Sequence, residues 1–236
     1  MIGCFVTGTD TGVGKTLASC ALLHALARHH PRVVGMKAVA AGAEPDGLGG
    51  WSNEDTRALR AASTLIVPHA LSNPVLLPDP VSPHIAAQRA GRVVTLAPIV
   101  SAYQQLATLA DAVVVEGAGG WLVPLSDAPP DAVPASAAPA LSIADLAVAL
   151  QLPVVLVVGL KLGCLNHAML TAMAIRAQGL TLAGWMVSRV DPAMLEPEAN
   201  IAWLQRNLGA PLLADMPYQA QPDARRCTVQ LPKEWQ

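Results

Sequence analysis

The sequence predicts an α/β fold, a doubly wound and mostly parallel sheet flanked by helices, and three observations carry that expectation. Short β-branched runs alternate with helical stretches, the pattern of successive βαβ units. A glycine-rich segment near the start joins an apolar run directly to a helical pattern. The 236 residues are 53% hydrophobic, resting on Ala, Val and Leu with one Phe, two Tyr and five Trp, so the interior should be aliphatic. That length fits one domain over residues 1–236 with a core of good size, and no change of composition divides it.

Taken in order, Ile2 to Val6 reads as the first strand and Lys15 to His30 as a helix that stops at Pro31. This helix is apolar around most of its circumference, which places it against the sheet. Further strands are expected at Arg32 to Lys37, Ala112 to Glu116, Val154 to Gly159, Leu182 to Val187 and Pro211 to Ala214. Ala41 to Glu54 is a glycine-rich loop between a strand and a helix, where α/β proteins place binding groups. Ser82-Pro83 supplies an N-cap and a first-turn proline for a helix running to Gly91. Residues 127–140 hold four prolines and six alanines and read as a mobile excursion without function. Ser142-Ile-Ala-Asp145 has the form of a capping box before Leu146 to Leu150, and Asn166 is placed as the cap of a helix ending near Gly179. The tail at 219–236 is polar and proline-containing, with no readable fold.

Composition excludes several classes. No apolar run is long enough for a membrane span, and Met1 leads into the first strand without a basic region or cleavage site. The expected compartment is therefore the cytoplasm, with no membrane partner. Cysteines 4, 20, 164 and 227 are scattered, without metal-ligand spacing or a disulfide framework, and Cys4 and Cys20 read as small core residues. A formal charge of −2 supplies no basic stripe for nucleic acid.

The glycine-rich segment is Gly8-Thr9-Asp10-Thr11-Gly12-Val13-Gly14-Lys15-Thr16. Strand, Gly-x-Gly-Lys-Thr and helix in that order make a phosphate-binding loop, so the fold is of the P-loop NTPase type. Five residues separate Gly8 from Gly14, one more than the usual spacing. Backbone N–H groups of Gly12, Val13, Gly14, Lys15, Thr16 and Leu17 would converge on the phosphates at the positive end of the helix. Lys15 would reach the β and γ phosphates and Thr16 would ligate Mg²⁺.

Four further segments stand out: Lys37 ends the second strand, Asp55 follows the glycine-rich loop, and Glu116-Gly117-Ala118-Gly119-Gly120-Trp121 and Lys161-Leu-Gly-Cys-Leu-Asn166-His-Ala each follow a strand. With the loop they resemble the dethiobiotin synthetases of biotin biosynthesis, a resemblance that runs to about Tyr218 and takes in Ser82-Pro-His-Ile-Ala-Ala87 and Pro217. It implies an ATP- and Mg²⁺-dependent ligase that closes a urea ring on 7,8-diaminopelargonic acid with CO2, through a carbamate and a carbamic-phosphoric anhydride. Lys37 and Lys15 would be catalytic, and Thr16, Asp55 and Glu116 would ligate Mg²⁺ with hard oxygen donors. By the same resemblance Asp55, Glu116, Gly117, Ala118, Gly119, Ser188, Arg189, Met216, Pro217 and Tyr218 join the loop in binding the nucleotide. Thr11, Lys37 and Ala41 would contact the substrate, and Gly163, Cys164, Leu165 and Asn166 would hold its carboxylate tail across a homodimer interface.

Bland alternatives stand beside these assignments. Asp55 could be an early-helix carboxylate favoured by the dipole. Glu116 after three valines would be costly to bury without a partner, which favours a metal role. His29, His30, His84 and His167 read as structural. The chain also departs from the family. Ala38 and Ala41 stand where it usually has Pro and a Ser or Thr, so a substrate-contacting hydroxyl is missing, and Ser188 stands where an Asn often reads adenine. Two rival readings share the nucleotide core. An amide synthase of the cobyrinic acid type would need a glutaminase region, for which 236 residues leave no room. A partitioning or division-site ATPase would carry a signature lysine where this chain has Asp10.

Overall fold

The computed structural model describes residues 1–47, 49–126 and 140–236. Its centre is a six-stranded parallel sheet in the order β10-β9-β8-β1-β7-β2. The strands are β1 (Ile2–Gly8), β2 (Val33–Lys37), β7 (Ala112–Glu116), β8 (Val154–Gly159), β9 (Leu182–Ser188) and β10 (Leu212–Met216). Between β2 and β7 run β3 (Val39–Ala41), β4 (Glu44–Pro45), β5 (Trp51–Ser52) and β6 (Val75–Leu77), which form two small ladders, β3 with β6 and β4 with β5. The helices are α1 (Lys15–Leu26), α2 (Glu54–Ala62), α3 (His69–Ser72), α4 (Pro83–Arg89), α5 (Leu96–Leu109), α6 (Ile143–Leu150), α7 (Cys164–Ala177) and α8 (Pro197–Asn207).

The inner strands carry long apolar runs because both faces of the sheet are covered. Side chains alternate between two cores: Cys4, Val6, Val114, Val155 and Val157 pack with α1 and α2, while Phe5, Val113, Val115, Leu156 and Val158 pack with α5, α6 and α7. Trp185 is the largest fully buried side chain, and its indole Nε1 has no hydrogen-bond partner among the described residues. We expect Trp185→Ala to cost about 3–5 kcal/mol in urea denaturation. Trp185→Phe should cost much less, since no hydrogen bond is lost with the indole.

The expected strands all form, Ala112–Glu116 and Val154–Gly159 with the expected ends and the others with ends shifted by one or two residues. Ser142 and Asp145 make the reciprocal capping box, and Pro83 opens α4 after Ser82. Three helix ends differ from the sequence expectation, the first being α4, which ends at Arg89 rather than Gly91. Helix α1 ends at Leu26 rather than His30, because Arg28 and His29 donate to Ala25 and Leu26 in tightened i→i−3 bonds ahead of Pro31. Helix α7 begins at Cys164, so Asn166 lies inside its first turn rather than capping it. Gly163, left-handed at φ 94, caps the helix three residues earlier than expected. The sequence reading assigned no element to α3, α5, α8 or β3–β6. Of the proline- and alanine-rich excursion, residues 127–139 lie outside the described residues.

The tail, unreadable from sequence, packs under α1 through buried Cys227, Leu231 and Trp235. Gln230 N donates to Leu213 O at 2.8 Å, tying it to β10.

Candidate active site

Parallel strands present their carboxyl ends on one edge of the sheet, and three of these ends bring the chemistry together. The loop follows β1, Lys37 ends β2 and Glu116 ends β7. Register decides the contact: Glu116 is the cross-strand partner of both Val6 and Lys37. Asp55 comes from the first turn of α2, where the helix dipole favours a carboxylate.

Lys37 and Glu116 are almost entirely buried, at 4% and 0% exposure, so neither charge could persist alone. Lys37 Nζ lies 2.6 Å from Glu116 Oε1 and 2.8 Å from Asp55 Oδ2. It also donates to the Gly117 carbonyl at 3.2 Å. Burial pulls the Lys37 ammonium down, but the charges of Glu116 and Asp55 and their hydrogen bonds outweigh it and hold its pKa above the ordinary value. For Asp55 burial acts upward, yet Lys37 and the hydrogen bond from Thr16 keep the carboxyl below its ordinary range. Lys15, buried and facing the Lys37 charge, is lowered to about 8. Its Nζ donates to the Asp10 carbonyl at 2.9 Å, so the lysine arches back over its own loop.

Thr16 Oγ1 donates to Asp55 Oδ1 at 2.6 Å and stands 3.1 Å from Glu116 Oε1. Glu116 Oε2 is buried without a hydrogen-bond partner among the described residues. A hydroxyl and two carboxylates, one with an unsatisfied buried oxygen, form a hard donor set that fits Mg²⁺. Such an ion takes one or two carboxylates and fills its octahedron with water and phosphate oxygens. Among the described residues no cluster of three or more His, Cys, Asp and Glu offers a closed metal cage.

These groups face a cleft of about 1200 Å³ that Thr11, Gly12, Gly14, Leu17, Ala41, Ala118 and Gly119 also line. Val13 points down into the sheet, where a methyl on Gly8 or Gly159 would strike it, so it offers the cleft only backbone. Pro80, Val81 and Pro83 form an apolar wall near Ala41. Other expected residues stand outside the cleft lining. Ser188 ends β9 against the back of Gly14. Arg189 is held by Asp215 and Glu198, each at 2.7 Å, and Arg189 N donates to Met216 O at 3.1 Å. Pro217 and Tyr218 are exposed beside buried Met216. Gly163, Leu165 and Asn166 begin α7, with Cys164 buried, and connect to the loop through Lys161, whose Nζ lies 3.4 Å from Asp10 Oδ2.

Sequence reading missed four contributors. Asn53 caps α2, and the signal was present as an Asn before the acidic pair Glu54-Asp55. Buried Asn73 donates to the Lys37 carbonyl at 2.8 Å and to Val75 O at 3.1 Å, steadying the chain where it leaves the main sheet. Asp223 and Arg225 of the tail line the cleft opposite α1, with no sequence signal to place them there.

A family model described as an AAA domain matches residues 3–226. The chain is 55% identical over 222 residues to an ATP-dependent dethiobiotin synthetase of Ralstonia nicotianae, covering 94% of this chain and 91% of that protein. It is 50% identical over 220 residues to the ATP-dependent dethiobiotin synthetase of Xanthomonas axonopodis pv. citri, covering 93% and 92%. Among solved structures it is similar to a ParA family ATPase from Chlorobium tepidum, with TM-score 0.52, 14% identity and coverage of 92% and 85%. The MinC:MinD cell division complex of Aquifex aeolicus gives TM-score 0.55, 14% identity and coverage of 93% and 82%. At those identities the likeness concerns the fold alone, whereas the synthetases match along nearly the whole chain. The loop, the strand-end cluster and this match together establish that the chain belongs to the ATP-dependent dethiobiotin synthetase family.

Proposed function

We propose that this protein closes the urea ring of dethiobiotin from 7,8-diaminopelargonic acid, CO2 and ATP, releasing ADP and phosphate. The carrying observation is the buried Lys37 cation between Glu116 and Asp55 at the mouth of a triphosphate loop. One substrate amine captures CO2 as a carbamate, a carbamate oxygen takes the γ-phosphoryl group of ATP, and the second amine attacks the carbonyl carbon and expels phosphate. Each step brings anions together, so positioning and charge neutralisation carry the catalysis. Lys37 neutralises the carbamate and the phosphoryl group in transfer, while Lys15 and the loop amides hold the β and γ phosphates. Thr16, Asp55 and Glu116 would hold Mg²⁺, which when bound spreads the negative charge of the phosphates. Thr11 and Ala41 flank the diamine, and Pro80, Val81 and Pro83 supply apolar contact for its aliphatic chain.

The test is phosphate release and dethiobiotin formation measured with and without diamine and bicarbonate. Release that needs both supports the reading; release stimulated instead by DNA or lipid vesicles would overturn it. The same reading makes 1–236 one catalytic domain in the cytoplasm. Among the described residues no helix is long and apolar enough to cross a membrane.

A homodimer belongs to this proposal, with Gly163 to Asn166 completing the partner's substrate site. Apolar exposure along α7 and just before it supports it: Leu170 is 56% exposed, Met173 61% and Leu162, ahead of the helix, 94%. Light scattering at assay concentration should give twice the chain mass, and a fully active monomer would rule the arrangement out.

Base choice is the second proposed property. A serine hydroxyl at 188 cannot span the N6 and N7 edge of adenine as an Asn amide does, a contact worth ~1–3 kcal/mol in DNA recognition. Arg189 is occupied by two carboxylates. CTP and GTP should therefore support turnover with kcat/KM within roughly tenfold of ATP, a gap of about 1.4 kcal/mol. A preference for ATP of about a thousandfold, ~4 kcal/mol, would place base reading on other contacts.

A further inference from the structure

One half-buried side chain between β3 and α2 touches both halves of the proposed chemistry. Asn53 Oδ1 accepts from Asp55 N at 3.0 Å as the cap of α2. Its Nδ2 donates to Ala41 O at 3.1 Å and to Gly42 O at 3.2 Å, where β3 ends. Asp55 in turn places one oxygen 2.6 Å from Thr16 Oγ1 and the other 2.8 Å from Lys37 Nζ. A single amide thus joins the strand end facing the substrate to the helix start facing Mg²⁺.

We infer that Asn53 is a positioning residue that couples the diamine-binding end of β3 to the metal-facing carboxylate of Asp55. This rests on the function proposed above. The segment between the two anchors offers little rigidity of its own, since β4 and β5 are two residues each. Ala43 N donates to the Leu77 and Pro78 carbonyls, so the end of β3 is held to β6 in any case. What the amide adds is the relation between that end and α2. Chemistry restricts the choice of side chain. Ser and Asp cap helices about as well as Asn. Neither presents an NH2 group able to serve two carbonyls, and an Asp oxygen would face both carbonyl oxygens with like charge.

Asn53→Asp and Asn53→Ser therefore separate the two roles, because each keeps the cap and removes the tie. Three quantities decide: the affinity for 7,8-diaminopelargonic acid by calorimetry, Mn²⁺ affinity of the ADP complex by electron paramagnetic resonance, and ADP affinity in EDTA. Diamine affinity should fall about tenfold, which is about 1.4 kcal/mol. Mn²⁺ affinity should fall severalfold, while metal-free ADP binding stays within about twofold because the loop is untouched. Wild-type affinities for both ligands, or a loss of only one, would overturn the coupling even if thermal stability changed. Should Asn53→Asp not fold, Asn53→Ser carries the same readouts. If the wild-type protein does not bind the diamine, the proposed function fails on its own, and an unchanged Mn²⁺ affinity in the variants would then overturn the role of Asn53 separately.

Discussion

Lys37→Met should lower single-turnover phosphate release by about a hundredfold or more, the usual loss when a preorganised charge facing the transition state is removed. The same change should destabilise the fold by about 3–5 kcal/mol, since it strands a buried carboxylate whose partner is gone. Glu116 is 0% exposed and its Oε2 already lacks a hydrogen bond among the described residues, so only the Thr16 hydroxyl, 3.1 Å from Oε1, remains to compensate it. Nucleotide affinity should change little by comparison, because in the proposed mechanism Lys15 and the loop amides hold the phosphates independently of Lys37. The double variant Lys37→Met/Glu116→Leu decides what the pair is for. Replacing a buried ion pair with apolar residues of similar volume is often neutral or stabilising. The double variant should therefore regain most of the stability in urea denaturation and none of the turnover. Near-normal phosphate release by Lys37→Met would remove the lysine from the mechanism. A double variant as unstable as the single one would mean that packing, rather than charge, sets the cost.

Gly14→Ala should weaken Mg-ADP binding by about thirtyfold or more, a change of about 2 kcal/mol. Two separate costs add. Gly14 sits at φ 82, a left-handed conformation that costs an L side chain roughly 1–2 kcal/mol. A methyl there would also stand 2.5 Å from Ser188 Oγ and 3.3 Å from Ser188 Cβ. Relief of either strain moves the start of α1, whose N–H groups would face the phosphates in the proposed complex. Adding Ser188→Ala removes the hydroxyl but leaves the backbone strain, so the double variant should recover part of the affinity and not all of it. Calorimetric titration of ADP separates the cases. No recovery would assign the whole effect to φ, and full recovery would assign it to the clash with Ser188.

That contact marks how far the sequence could be read. The loop was legible because its function depends on local geometry, with glycines, a lysine and a helix start within nine consecutive residues. The parallel sheet was equally legible, since strands covered on both faces carry uninterrupted apolar runs such as Val113-Val114-Val115. The capping box at Ser142 and Asp145 is likewise a four-residue signal. By contrast, α7 began at Gly163 rather than at Asn166 because a left-handed glycine competes successfully with a side-chain cap.

The sequence by itself determined the fold class, the phosphate loop and, through resemblance along the chain, the candidate residues Lys37, Asp55 and Glu116. Tertiary structure decided which of them meet. Lys37 and Glu116 are 79 positions apart, and only the order β1-β7-β2 with its register sets them 2.6 Å from each other. Asn53 and Asn73 acquired partners in the same way, through backbone carbonyls that no side-chain pattern announces. The tail was undecidable in advance for a related reason. Its residues form little regular structure, and Asp223 and Arg225 reach the cleft because Cys227, Leu231 and Trp235 are buried beside α1. Local conformation follows from neighbouring residues, whereas strand order, register and the docking of irregular segments follow from burying apolar surface across the whole chain.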